Sequence, residues 1–206
     1  MRKKKQKFFS VNEAFPEGTW YQGVSKYHNL AQSQLTKLEL LIQKVNDLWP
    51  ISHSESLRDH DNSSELNILV KERDLASDVS RIFSQMAVEA FLNYYGAVRL
   101  GQEVYKDHFE RLNPSCKVKE LLDICERITV EKEHPILQAI KRITDNRNSL
   151  IHANAIKSTG PDDPNKFTAE LPETAKESVR SMISFFHEFK LLVLGAEYFL
   201  PINIPN

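Results

Sequence analysis

At 206 residues, with 41% apolar and 27% charged side chains, the chain is long enough to bury a core and too apolar for disorder. Its 27 basic and 28 acidic residues leave a net charge of −1, which excludes a protein that grips nucleic acid through its overall field. Any such contact has to be local, and no apolar run is long enough to suggest a membrane span.

Residues 1–24 read as an irregular basic segment: Arg2, Lys3, Lys4 and Lys5, then Pro16, Gly18 and Gly23 as punctuation. The stretch from Gln6 to Glu13 lacks an apolar run of signal-peptide length, so the protein is expected in the cytoplasm. The basic run can touch RNA phosphates or form a solvated tail. From Ser25 to Trp49 the spacing of Leu35, Leu38, Leu41, Ile42 and Val45 predicts a helix that Pro50 stops. Residues 51–64 read as a polar loop, and its His53 and His60 have no metal-ligand spacing. A long helix is then expected from Ser64 to Leu100, its apolar stripe made by Leu75, Val79, Ile82, Phe83, Met86, Ala90, Phe91, Tyr94 and Val98. In that setting Tyr94 and Tyr95 read as core residues before base-stacking ones.

Gly101 is a stop signal, a short helix covers 102–112, and another runs from 117 to 128 with Val118, Leu121, Leu122, Cys125 and Ile128. Cys116 and Cys125 fit no zinc pattern and read as reduced thiols. Pro135 suits the first turn of a helix through Ile136, Ile140 and Ile143 to the neighbourhood of His152. Residues 154–172 are expected as a loop or partial hairpin. A last helix runs from near Pro172 to Phe199 with Val179, Met182, Ile183, Phe186 and Phe189 inward, and His187 is read as packed or at the boundary. The fold class expected is all-α, a bundle of five to six helices, as one domain over 25–200 with a tail at 201–206.

The chemistry is concentrated in Asp145-Asn146-Arg147-Asn148-Ser149-Leu150-Ile151-His152. Continuing the stripe of Ile136, Ile140 and Ile143 by one turn reaches Arg147. An arginine on a core-facing line needs partners, because its guanidinium cannot shed its charge. It either faces an acidic residue or lines a cleft where an anion binds. Asp145, Asn148, Ser149 and His152 share a second, polar face. Arg147 and His152 are five positions apart, about 140° on an ideal helix, so a kink or a symmetric second copy is needed to bring both onto one substrate. Glu89, beside the stripe of the long helix, is either the partner of Arg147 or an ordinary half-exposed glutamate.

The segment Arg147 to His152 resembles the signature of the HEPN superfamily: arginine, a polar residue directly after it, and a histidine a few positions on. An upstream helix containing Met86 to Asn93, the basic-amphipathic Lys117 to Leu122 segment and a long terminal helix extend the likeness over roughly residues 65–200. The resemblance implies a HEPN-like helical bundle, often a homodimer with facing motifs, and a metal-independent endoribonuclease. It implies His152 as general acid/base, Arg147 as phosphate clamp and Asn148 as positioning residue, with Glu89, Asp145 and Ser149 in support. No metal or cofactor is expected. An RNA substrate and an antitoxin partner are the expected ligands; the alternative is a non-catalytic module binding a nucleotide, an RNA or a protein.

Overall fold

The computed structural model describes residues 19–52, 60–151 and 164–200. Six α-helices occur among them and no strand: α1 (Thr19–Ser52), α2 (His60–Leu100), α3 (Gln102–His108), α4 (Pro114–Leu121), α5 (Pro135–Ile151) and α6 (Pro164–Leu192). A π-helical turn (Leu122–Glu126) follows α4, and a 3-10 turn (Ala196–Tyr198) follows α6. The all-α expectation holds. No described helix is long and apolar enough to cross a membrane.

Several boundaries differ from the expected ones, for local reasons. α1 starts at Thr19, and Gly23 lies inside it rather than in a loop. It also passes Pro50 and ends two residues later, at Ser52. α2 begins at His60, within the stretch expected as a loop. α6 begins at Pro164 and carries Pro172 in its interior, so residues 164–171 are helical instead of looped. It stops at Leu192, short of Phe199, where Gly195 turns left-handed (φ 79°). Gly101 (φ 88°) ends α2 where expected.

The described residues divide into two compact units, those within 19–27, 86–141 and 182–200 forming one and those within 28–85 and 142–181 the other. Helices α1, α2, α5 and α6 each contribute a segment to both.

The first unit is built on aromatic rings. Phe91 of α2 meets Phe186 and Phe189 of α6 edge-on, with centroids 5.4 and 4.7 Å apart, and Tyr95 meets Phe189 at 4.9 Å. Tyr94 and Tyr95 are buried there, as core packing requires, whereas His187 is exposed rather than packed. A Cβ on Gly96 would come within 2.5 Å of the Tyr105 ring, so only glycine lets Tyr105 seat against α2. Asn113 caps α4 by accepting from the Cys116 amide at 2.9 Å, and Pro114 occupies the first turn. The expected helix 117–128 is thus an α-helix, then a π turn, ended by Arg127 in the left-handed region (φ 60°). Within that turn Glu126 pairs with Arg99 at 2.7 Å and accepts from the Tyr95 hydroxyl. Lys117 is buried, its ammonium donating to Asn93 Oδ1 at 2.9 Å and to the Glu110 carbonyl at 3.2 Å.

The second unit has a different interior. Leu38 and Leu41 of α1, Ala76 of α2 and Ala175 of α6 form its apolar cluster, with Leu35, Ile42 and Leu69 packed against it. Here α2 does not bury the expected stripe. Leu75 is 62% exposed and Val79, Ile82 and Phe83 are half-buried, while Arg73, Ala76, Ser77, Ser80, Arg81 and Ser84 are buried. Small side chains bring the backbones close enough for Ser80 Oγ to donate to the Ala31 carbonyl at 2.7 Å. Ser84 Oγ satisfies itself on the Ser80 carbonyl at 2.8 Å. On this half of α2 small side chains and two arginines, Arg73 and Arg81, are buried in place of the apolar stripe.

Candidate functional site

The C-terminal half of α5 lies in the second unit. Ile136, Ile140 and Ile143 are buried as their spacing requires, but the stripe ends at Ile143. Beyond it Asn146, Arg147, Asn148 and Leu150 are half-buried, and Asp145, Ser149 and Ile151 are exposed. Arg147 therefore does not continue into the core. Its Nη1 donates to Asn148 Oδ1 at 3.2 Å, and no carboxylate stands within ion-pair distance of it among the described residues. Of the two readings of this arginine, an internal ion pair finds no counterpart in this set. Asn148 serves as acceptor for the neighbouring guanidinium, which orients its amide NH2 away from that contact. Asp145 is exposed to solvent. His152 lies outside the described residues.

Glu89 belongs to the first unit, where its charge bears on Lys117 and Tyr105. Burial pulls the Lys117 ammonium below the ordinary lysine range, and the negative charges of Glu89 and Glu110 oppose that shift.

The buried arginine that touches α5 is a different one. Arg81 of α2 has a side chain only 4% exposed. Its Nη2 donates to the Asn146 carbonyl and, at 2.7 Å, to Ser149 Oγ. Ser149 Oγ in turn donates to the same Asn146 carbonyl at 2.9 Å. Asp78, one turn earlier on α2, lies 3.6 Å from Arg81 Nη1, and Arg81 Nε has no acceptor among the described residues. Burial lowers the affinity of this guanidinium for its proton and Asp78 partly restores it, while burial raises the Asp78 carboxyl against the opposing pull of Arg81. The carbonyls near a helix C-terminus carry the negative end of the helix dipole, so a cation there is favoured.

Asn146 also reaches the other way. Its Nδ2 donates towards α6: to Ser178 Oγ at 3.1 Å, Glu177 Oε2 at 3.3 Å and the Thr174 carbonyl at 3.4 Å. Arg142 stands 4.0 Å from the other Glu177 oxygen. Glu173, Thr174, Glu177 and Arg180 line an open depression on this face of α6.

Asn146 and Arg81 were not singled out from the chain. The chain does carry a signal for Arg81: Ala76, Ser77, Ser80 and Ser84 repeat at helical spacing beside it and mark a close approach. Asn146 offers no signal beyond adjacency to Arg147. Of the expected site residues, Arg147, Asn148 and Ser149 are brought together on the last turns of α5, while Glu89 is placed in the other unit. Among the described residues no group of three His, Cys, Asp or Glu side chains is placed to hold a metal ion.

No family model matches the chain, and neither curated proteins nor solved structures yield a match.

Proposed function

We propose that this chain is a metal-independent endoribonuclease of the HEPN kind, acting in the cytoplasm on RNA. One observation carries the reading: Arg147 is half-exposed, hydrogen-bonded to Asn148 and without a carboxylate partner among the described residues, five positions before His152. A guanidinium in that state is available to an anion.

RNA supplies its own nucleophile, the 2′-hydroxyl. His152 takes the 2′-hydroxyl proton as the oxygen attacks phosphorus, Arg147 neutralises the charge gathering on the non-bridging oxygens, and the P–O5′ bond breaks as the 5′-oxygen takes a proton from water or from the protonated His152 of the second copy. The products are a 2′,3′-cyclic phosphate and a 5′-hydroxyl. Asn148, tied to Arg147, holds the guanidinium towards the phosphate, and Asp145 and Ser149 border the site. With α5 helical through Ile151, a homodimer with facing motifs supplies the convergence that one straight helix lacks. An antitoxin is the partner class proposed for such an enzyme.

Purified protein incubated with total RNA in excess EDTA should yield fragments with cyclic phosphate ends. His152→Ala should slow cleavage by about 100-fold or more, and Arg147→Ala by a similar factor. Mixing the two inactive variants should restore activity if the site is shared between copies. An absolute need for Mg²⁺ would contradict the mechanism. Absence of cleavage across varied RNAs, with a nucleotide still bound, would favour the alternative of a non-catalytic binding module; the near-neutral charge of −1 gives the chain no strong general affinity for RNA and counts against the enzyme.

A further inference from the structure

We propose that Arg81 is a positioning residue, holding the last turns of α5 so that Arg147 and Asn148 are presented in one fixed orientation. The geometry is specific. One buried nitrogen of Arg81 bonds both the Asn146 carbonyl and Ser149 Oγ, and Ser149 Oγ closes the figure by donating to that carbonyl at 2.9 Å. These acceptors bracket Arg147 and Asn148 in sequence. On its other side Asn146 is held to α6 through Ser178 Oγ at 3.1 Å. The residue directly before the motif is therefore tied by its backbone to α2 and by its side chain to α6.

The residue type follows from the task. A planar guanidinium offers several donors in a rigid fork and stays charged when buried, whereas an ammonium is a point charge that would have to choose its acceptor. Asp78 at 3.6 Å offsets the charge without competing for Nη2. The inference rests on the ribonuclease reading only for its activity measurement; the claim about the α5 turn stands on contacts alone.

The test compares Arg81→Gln, Arg81→Lys and Ser149→Ala in the full chain, each first checked for helicity and cooperative melting. Backbone amide hydrogen exchange in residues 147–151 is then measured, with residues 91–95 and 172–181 as internal references. Arg81→Gln should speed exchange at 147–151 by about tenfold or more, equivalent to 1.4 kcal/mol, and leave the references protected. Ser149→Ala should do so to a smaller extent, and Arg81→Lys should recover part of the protection. In RNA cleavage, kcat should fall with KM nearly unchanged, because the substrate still meets Arg147 but in a less ordered pose. Unchanged exchange at 147–151 in a folded Arg81→Gln overturns the proposal, as does equal loosening of residues 172–181, which would make Arg81 a general core residue. Should Arg81→Gln not fold, Ser149→Ala decides by the same measure. Faster exchange in a chain whose wild type cleaves no RNA keeps the positioning role and discards the nuclease.

Discussion

Cys116 and Cys125 carry the same thiol in different surroundings. Cys116 is exposed beside the cap of α4, whereas Cys125 is half-buried in the π turn. Burial pushes the Cys125 thiol up from 9.0 to about 11, with Arg99 opposing and Glu126 reinforcing the shift. Two pKa units leave about 100-fold less Cys125 thiolate at pH 8 than in the unfolded chain, so iodoacetamide should label the exposed Cys116 first and Cys125 about 100-fold more slowly than after unfolding. The sign for stability follows: the unfolded chain loses this proton near pH 9 while the folded one keeps it to about 11, so the contribution declines as pH rises through that window. Peptide mapping of the labelled sites checks the order, and equal rates would show that the π turn does not shield its thiol. The same scale governs the arginines. From spacing alone Arg147 falls on the buried line, yet Arg147 is half-buried and Arg73 and Arg81 are in the interior. Periodicity assigns a face and cannot say where a partner helix stops covering it.

Along α2, the half in the second unit turns its small side chains inward and leaves Leu75 at 62% exposure. Hydropathy points to the opposite face, because it weighs transfer from water and ignores how closely two backbones can pack. Leu75→Gln should therefore change stability by less than about 0.5 kcal/mol. Leu38→Ala, deleting a fully buried side chain from the cluster around Ala76, should cost about 2–5 kcal/mol. Urea melts of both variants decide the matter; a large loss at Leu75 would restore the face read from hydropathy. In the first unit the same helix buries Phe91, Tyr94 and Val98 as their spacing requires, while Met86 and Ala90 of the expected stripe are half-buried. The helices themselves were thus legible, whereas several of their ends were not: α1 starts at Thr19 and passes Pro50, α2 starts at His60, and α6 runs from Pro164 only to Leu192.

Across the molecule, the two units differ in what fills them. One is packed with Phe91, Tyr95, Phe185, Phe186 and Phe189; the other buries Ser77, Ser80, Ser84, Arg73 and Arg81 beside a small aliphatic cluster. Apolar burial drives folding, and buried hydroxyls and cations contribute little net stability beyond their hydrogen bonds. Amides of residues 87–98 and 182–189 should accordingly exchange more slowly than those of 66–80 and 172–181. Hydrogen exchange read by mass spectrometry tests this, and uniform protection along α2 would refute it. If the gradient is found, the turn proposed for catalysis sits in the less stable unit, where a polar clamp such as Arg81 with Asn146 matters most.

The chain by itself determined that the described residues are helical, where most helices run, and that Arg147 and Asn148 fall in the last turns of one of them, because each of these is a matter of local periodicity and short spacing. Tertiary structure alone decided which face of α2 is buried, that Arg81 and not Arg147 enters the interior, and that Asn146 ties α5 to α6. Those outcomes depend on side-chain volume and on acceptors supplied by residues far away in sequence, which no window along the chain contains.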